Sequence, residues 1–373
     1  MAIRRTAALI AGLAVVFGAF AGCSAERTPA SPGASGPASS GDTLIGITMP
    51  TVSLERWNND GAGLKEQLEK MGYKAQLDYA DNKNELQIQQ LENQINAGAK
   101  VLVIASIDGK TLGPTLQKAA DKGIKVIAYD RLILGTPNVD YYATFDNYKV
   151  GELQGNFIKD TLKLDSAAGP FNFEPFAGSP DDNNASLFFQ GAWDVLKPFV
   201  DSGKLVINSE TGKKAAGNWQ DIGILEWKSA TAQSEMENRL NSFYTDKKVN
   251  VVLSPNDSLA LGIAQALETA GYAVGPDYPV LTGQDGDVAN VKNILAGKQS
   301  MTVWKDTREL AKRVATMVDQ VVQGKEVEVN DTKSYDNGEK VVPSYLLDPE
   351  VVVKDDVQTK LVDSGFIKAD QLK

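Results

Sequence analysis

Seven apolar runs in this chain are followed by charged or amide side chains: Arg56-Trp57, Asp130-Arg131, Asp146-Asn147, Asp181 to Asn184, Asn256-Asp257, Gln284-Asp285 and Lys305. Groups just beyond the carboxyl ends of buried strands are where α/β proteins hold small ligands. An Asp or Asn in such a place also serves as a helix cap, its oxygen accepting from an otherwise unpaired backbone N–H. Asn147, Asn183 and Asp257 are read as caps as readily as contacts, and Trp57 and Trp227 read first as packing. Capping does not account for Arg131 or Lys305. A cation beside a buried strand needs a carboxylate or a ligand rich in acceptors.

Taken together, Arg56, Asp130, Arg131, Asp182, Asn184, Asn256, Asp285 and Lys305 contain three acids, three cations and two amides. That neutral set suits a small uncharged polyol, whose hydroxyls each donate one hydrogen bond and accept others. The apolar C–H face of a sugar ring would pack on indole, which Trp57 and Trp227 supply. Other chemistries are excluded by composition. The chain has no His and one Cys, so common zinc sites, His-dependent nucleophilic catalysis and an intrachain disulfide are ruled out. No metal, cofactor or catalytic residue is expected. Gly109-Lys110-Thr111 lacks the first glycine of a phosphate-cradling loop, because Ile104 stands in its place. Gly61 and Gly63 lack the third glycine of a dinucleotide fingerprint. A net charge of −10 argues against binding nucleic acid. Carboxylate, Lys, Ser or Tyr chemistry remains open, and the alternatives are a carboxylate-dependent glycoside hydrolase and a sugar-sensing receptor component without a transport role.

The elements that must position these groups alternate. Short apolar runs near 44–49, 75–79, 101–105, 125–129, 171–176, 205–208, 250–254, 279–282 and 301–304 read as buried strands, and a further strand ends at Phe145. Between them lie helical periodicities; Gly72, Gly98 and Gly123 close the first three. Strand–helix alternation implies parallel sheets, and about 330 residues of it exceed one sheet, so an α/β fold with two lobes is expected.

The amino terminus reads as an export signal. Arg4 and Arg5 precede an apolar run from Ala7 to Ala21, too short to span a bilayer. Cys23, the single cysteine, follows in Phe20-Ala21-Gly22-Cys23, which resembles a bacterial lipobox and so marks Cys23 for lipid attachment. Residues 1–22 are the expected signal and 23–42 a Pro/Ser/Gly/Ala-rich tether with too few apolar side chains to order itself. Loss of residues 1–22 removes two Arg and no acid, taking the net charge from −10 to −12. An acidic domain would be held at the outer face of the cytoplasmic membrane by its lipid, not by charge. A sugar-responsive repressor of the same two-lobed shape would need an amino-terminal helix-turn-helix, for which 1–42 leave no room.

The motifs Leu54-Glu-Arg-Trp57, Ile124 to Arg131, Phe145 to Gly151, Gly178 to Ala185, Gly283-Gln-Asp285 and Val342 to Leu347 resemble the xylose-binding and ChvE-type multiple-sugar-binding proteins, receptors of ABC sugar importers. The likeness runs from about residue 43 to 373. It implies a type I periplasmic-binding-protein fold: two doubly wound parallel-sheet lobes, 43–146 with 306–328 and 147–305 with 329–373, joined by a three-segment hinge. It also implies one monosaccharide held between the lobes by the eight polar residues above and stacked on Trp57 and Trp227, with Asn183 as the alternative to Asn184. Glucose, galactose, xylose and arabinose are the expected class of ligand. The implied partners are the membrane subunits of the importer and, by the ChvE likeness, a sugar-sensing receptor, with the protein itself a monomer.

Overall fold

A computed structural model of the chain describes residues 42–373; the signal, Cys23 and the tether up to residue 41 lie outside the described residues. Strand and helix alternate at first through β1 (Leu44–Met49), α1 (Glu55–Lys70), β2 (Lys74–Tyr79), α2 (Asn84–Asn96), β3 (Val101–Ile104), α3 (Gly113–Asp121), β4 (Lys125–Tyr129) and β5 (Tyr141–Phe145). The chain continues through α4 (Asn147–Thr161), β6 (Phe171–Pro175), α5 (Asn183–Asp201), β7 (Leu205–Val206), the single turn α6 (Glu210–Lys213) and α7 (Ser229–Phe243). Then come β8 (Val251–Leu253), α8 (Asp257–Thr269), β9 (Val280–Leu281), α9 (Val288–Ala296), β10 (Thr302–Trp304), α10 (Thr307–Val322), β11 (Ser344–Leu347) and β12 (Glu350–Val352).

These strands form two parallel sheets. The first has the order β11-β5-β4-β3-β1-β2, and the second β7-β6-β8-β9, beside an antiparallel pair of β10 and β12. Alternation along each strand divides the first core in two. Val101, Val103 and Ile127 face α1 and α10, whereas Leu102, Ile104 and Val126 face α2 and α3. Strands covered by helices on both faces must be apolar on both, which is why they read as unbroken apolar runs. The second sheet is flanked likewise, by Leu259 and Ile263 of α8 on one side and Phe189, Ala192 and Leu196 of α5 on the other.

The chain crosses between the sheets three times: from β5 to α4, from β10 to α10, and from β11 to β12. The last crossing differs from the expected boundary at 328/329. Ser344 to Leu347 pair in parallel with Tyr142 to Phe145, and Tyr335 and Val342 are buried in the first lobe's core. The edge of the first sheet needs a strand to satisfy the N–H and C=O groups of β5, and β11 supplies it. Only from β12 onward does the tail belong with the second lobe, where Val352 pairs with Thr302.

Helices α4 and α5 pack backbone against backbone. A Cβ on Gly151 would stand 1.9 Å from the Phe188 carbonyl oxygen, and one on Gly191 2.1 Å from that of Tyr148. Gly151→Ala should therefore cost about 3 kcal/mol, the upper end of overpacking penalties, because the obstacle is main chain and cannot rotate away. Urea unfolding of the variant beside the parent measures it; a loss under about 1 kcal/mol would mean the helices slide apart freely.

Candidate functional site

All ten side chains expected to contact a ligand line one cavity between the lobes. The first lobe supplies Arg56 and Trp57 from the start of α1 and Asp130 and Arg131 from the turn after β4. The second supplies Asp182 and Asn184 at the start of α5, Trp227, Asn256 at the start of α8 and Asp285 after β9, while Lys305 sits on the crossing between β10 and α10. Asn183 is half-buried and faces a separate surface crevice with Trp219 and Leu225, whereas Asn184 lines the cavity.

The helix caps fall one residue earlier than read from sequence. Asp146, Asp182 and Asn256 are the capping residues of α4, α5 and α8, in place of Asn147, Asn183 and Asp257. The Asp182 carboxylate accepts from the Asn184 N–H at 3.0 Å, and the Asn256 side-chain oxygen from the Leu259 N–H at 3.1 Å. Two cavity residues are thus rigid because they also terminate helices. Freed from capping, Asn147 joins a buried cluster, its amide donating to the side-chain oxygen of Asn184 at 3.0 Å.

The charges are paired across the cavity. The Arg56 guanidinium lies 2.8 Å from the Asp130 carboxylate, 3.4 Å from that of Asp285 and 3.2 Å from that of Asp60 beneath it. Arg131 meets Asp182 at 2.9 Å, and Lys305 meets Asp285 at 3.0 Å. The two guanidiniums also stack on Trp57, at 4.3 and 5.1 Å from the ring centre, so the indole both packs and lines the cavity. Lys305 is 2% exposed and Arg131 7%, so both cations are held away from water by these partners. Burial alone would push the Asp130 carboxyl up, but Arg56, Lys305 and Arg131 together hold it below the usual carboxylate range.

Asp130 is held by its backbone as well. Its φ is +61°, and its carbonyl oxygen accepts from the Tyr142 hydroxyl at 2.6 Å, the Thr144 hydroxyl at 3.0 Å and the Asn184 amide at 2.8 Å. Left-handed backbone at an aspartate is uncommon and marks a conformation that its surroundings impose. The Asn184 bond reaches from the second lobe to the first, as do Arg131–Asp182 and Arg56–Asp285.

Five further residues line the cavity without having been singled out as contacts: Leu54, Phe188, Ser258, Gln284 and Asp287. Phe188 lies one helical turn beyond Asn184, a spacing that puts both on one face of α5. Gln284 is 1% exposed; its amide donates to the Pro255 carbonyl at 3.0 Å, and its side-chain oxygen has no partner among the described residues. Asp287 adds a fourth acid to the three acids and three cations read from sequence. Burial, then neighbouring Asp257 and Asp285, push its carboxyl well above the usual range, which favours the neutral form.

Asp257 lies below this rim, with no exposed surface. Its carboxylate accepts from the Gly286 and Asp287 N–H groups and the Thr302 hydroxyl, each at 3.0 Å, and from Gln299 at 2.8 Å. Burial and the charge of Asp285 nevertheless push it up to about 8, and burial pushes Asp60 up to about 6. Without histidine, proton uptake between about pH 5 and pH 8 falls to such carboxyls. A raised carboxyl stabilises the fold while it is protonated there. The contribution is complete below about pH 4 and is lost as pH rises through about 6 for Asp60 and about 8 for Asp257. Stability should fall from pH 5 to pH 8, and Asp257→Asn should flatten the slope. Denaturant unfolding at both pH values checks this, and parallel slopes would place the proton elsewhere.

Two parallel-sheet lobes that close a polar cavity between the carboxyl ends of their strands define a solute-binding protein of the type I periplasmic fold. The chain belongs to the periplasmic binding protein domain family, whose model matches residues 45–326. It is 53% identical over 330 residues to the multiple sugar-binding periplasmic receptor ChvE of Rhizobium radiobacter, covering 88% of this chain and 92% of that one. It is 37% identical over 331 residues to the D-xylose-binding periplasmic protein of Escherichia coli, covering 89% and 93%. Among solved structures, an ABC transporter solute-binding protein of Clostridium phytofermentans with bound β-D-glucose superposes with a TM-score of 0.84 at 50% identity, covering 89% of this chain and all of that one.

Proposed function

We propose that this protein captures a single aldopentose or aldohexose between its lobes outside the cytoplasm and delivers it to the membrane subunits of an ABC importer. The observation that carries the reading is the convergence of Arg56, Asp130, Arg131, Asp182, Asn184, Asn256, Asp285, Lys305 and the two indoles of Trp57 and Trp227 on one cavity. Relatives whose names record sugars, and a neighbour with bound glucose, support the same ligand class.

The mechanism follows from the division of the contacts. Each lobe presents half of the cage, so a sugar bound to one lobe gains its remaining hydrogen bonds only when the other closes on it. The three crossings are the hinge. The closed form is then the shape the importer recognises. Cys23 carries the lipid that keeps the protein at the outer face of the cytoplasmic membrane, and a sensory receptor is a second partner of the closed form. On this reading the protein is a monomer and binds without catalysis, in keeping with cavity carboxylates Asp130, Asp182 and Asp285 that are each paired with a cation.

A thermal-shift panel of monosaccharides on the mature domain tests the reading. A sugar at about 100 times its Kd should add about 2.7 kcal/mol of stability. A flat response to aldoses with a response to amino acids or nucleosides would overturn it, as would turnover of sugar glycosides. Release of the Cys23→Ser protein from membranes tests the anchor separately.

A further inference from the structure

The segment that carries Trp227 into the cavity is held in an unusual way. Glu226 and Trp227 both have left-handed backbones, with φ of +57° and +54°. Two successive non-glycine residues in that region do not stay there unless their surroundings require it. The Glu226 N–H donates to the Ser179 hydroxyl at 2.7 Å, and the Trp227 carbonyl accepts from the Ser258 hydroxyl at 2.8 Å. Upstream, the segment is pinned beside the end of β6: the Ala177 N–H donates to the Ile222 carbonyl at 3.2 Å, and the Ile224 N–H to the Ala177 carbonyl at 3.1 Å. The rim of the indole rests on Gly178. A Cβ there would stand 2.0 Å from the outermost ring carbon, Cη2, where ordinary contact begins at 3.4 Å.

We infer that Gly178, Ser179 and Ser258 are positioning residues that hold the Trp227 indole at a fixed depth in the cavity, and that this depth sets the discrimination between aldohexoses and aldopentoses. The inference rests on the sugar-binding reading above. Gly178 and Ser179 do not line the cavity, so their effect on a ligand passes through the indole. A methyl group at 178 forces the ring and residue 178 apart by about 1.4 Å, the difference between 2.0 and 3.4 Å. Gly178 lies outside the lining and meets the rim of the ring, so that separation moves the indole relative to the rest of the cavity wall. A hexopyranose carries a hydroxymethyl group that the corresponding pentopyranose lacks, so a moved wall acts unequally on the two.

Calorimetric titration with D-glucose and D-xylose, which differ by that group, tests this on the parent protein and on Gly178→Ala, Ser179→Ala and Ser179→Thr, with tryptophan emission recorded alongside. Gly178→Ala should change the glucose-to-xylose affinity ratio at least tenfold. Ser179→Ala, which frees the Glu226 N–H and loosens the ring, should narrow the glucose-to-xylose ratio at least threefold and shift the emission, and Ser179→Thr should restore both. If Gly178→Ala fails to fold, the serine pair carries the test alone. Folded variants that lose affinity for both sugars equally, or a ratio that stays shifted in Ser179→Thr, would overturn the seat while leaving sugar binding intact. A parent protein that binds neither sugar would overturn the function and the seat together.

Discussion

Asp130→Ala is expected to lower monosaccharide affinity by about a hundredfold or more, corresponding to about 3 kcal/mol. Three losses combine. The carboxylate that would accept from sugar hydroxyls is gone. Arg56, half-buried and 2.8 Å from that carboxylate, loses its shortest ionic partner and must lean on Asp285 and Asp60, each more than 3 Å away. Alanine is also poorly suited to the left-handed backbone at φ +61°. Asp130→Asn separates these effects, because asparagine tolerates that backbone and keeps the shape while removing the charge. Its affinity should lie between those of the parent and Asp130→Ala. Titration calorimetry on all three proteins decides: an Asp130→Ala protein with parental affinity would remove this residue from the site.

Arg239→Met should have the largest effect on stability, about 3–5 kcal/mol, although the residue lies in the second lobe's core away from the cavity. Arg239 is 2% exposed and pairs with Glu174, which is fully buried, at 3.1 Å; its guanidinium also lies 4.0 Å from the ring centre of Phe176. The Glu174 carboxylate accepts in addition from the Ser209 N–H and hydroxyl and from Tyr244. Taking away the cation leaves a buried anion with donors but no counter-charge, in a fold whose whole margin is about 5–15 kcal/mol. The double variant Glu174→Leu/Arg239→Met should recover much of the loss, since replacing both partners by apolar groups removes the desolvation penalty along with the attraction. Unfolding curves for the two single variants and the double variant close the cycle; a single-variant loss below about 1 kcal/mol would mean water reaches Glu174.

Much of the cavity lining is legible in the sequence because its residues break a local rule. Arg131 and Lys305 are cations next to buried strands, where nothing local satisfies them, and the structure pairs them with Asp182 and Asp285. Phe188, Ser258 and Leu54 broke no such rule. Each is an ordinary residue of a helix or of the turn before one, and only the approach of the other lobe makes it part of a cavity wall. Asp287 was hidden for a related reason: an acid just before a helix reads as a cap, and its involvement emerges from the packing of Asp257 and Asp285 around it. The caps themselves slipped by one residue at three helices, because Asp-Asn and Asn-Asp pairs offer two adjacent side chains of equal capping ability.

The sequence by itself determined the architecture and the chemistry. Apolar runs buried on both faces require helices on both sides of parallel strands, and a chain without histidine that places carboxylates, cations and amides past those strands suits an uncharged, hydroxyl-rich ligand. Only the tertiary structure decided which charge faces which, where the tail returns to the first sheet, and how Trp227 is aimed. Strand 344–347 joins an edge formed some 200 residues earlier, and the left-handed turn at 226 and 227 is imposed by hydroxyls from two distant segments. Local sequence sets propensities over a few residues, whereas these choices are made by contacts whose partners are far apart in the chain and meet only when both lobes are folded.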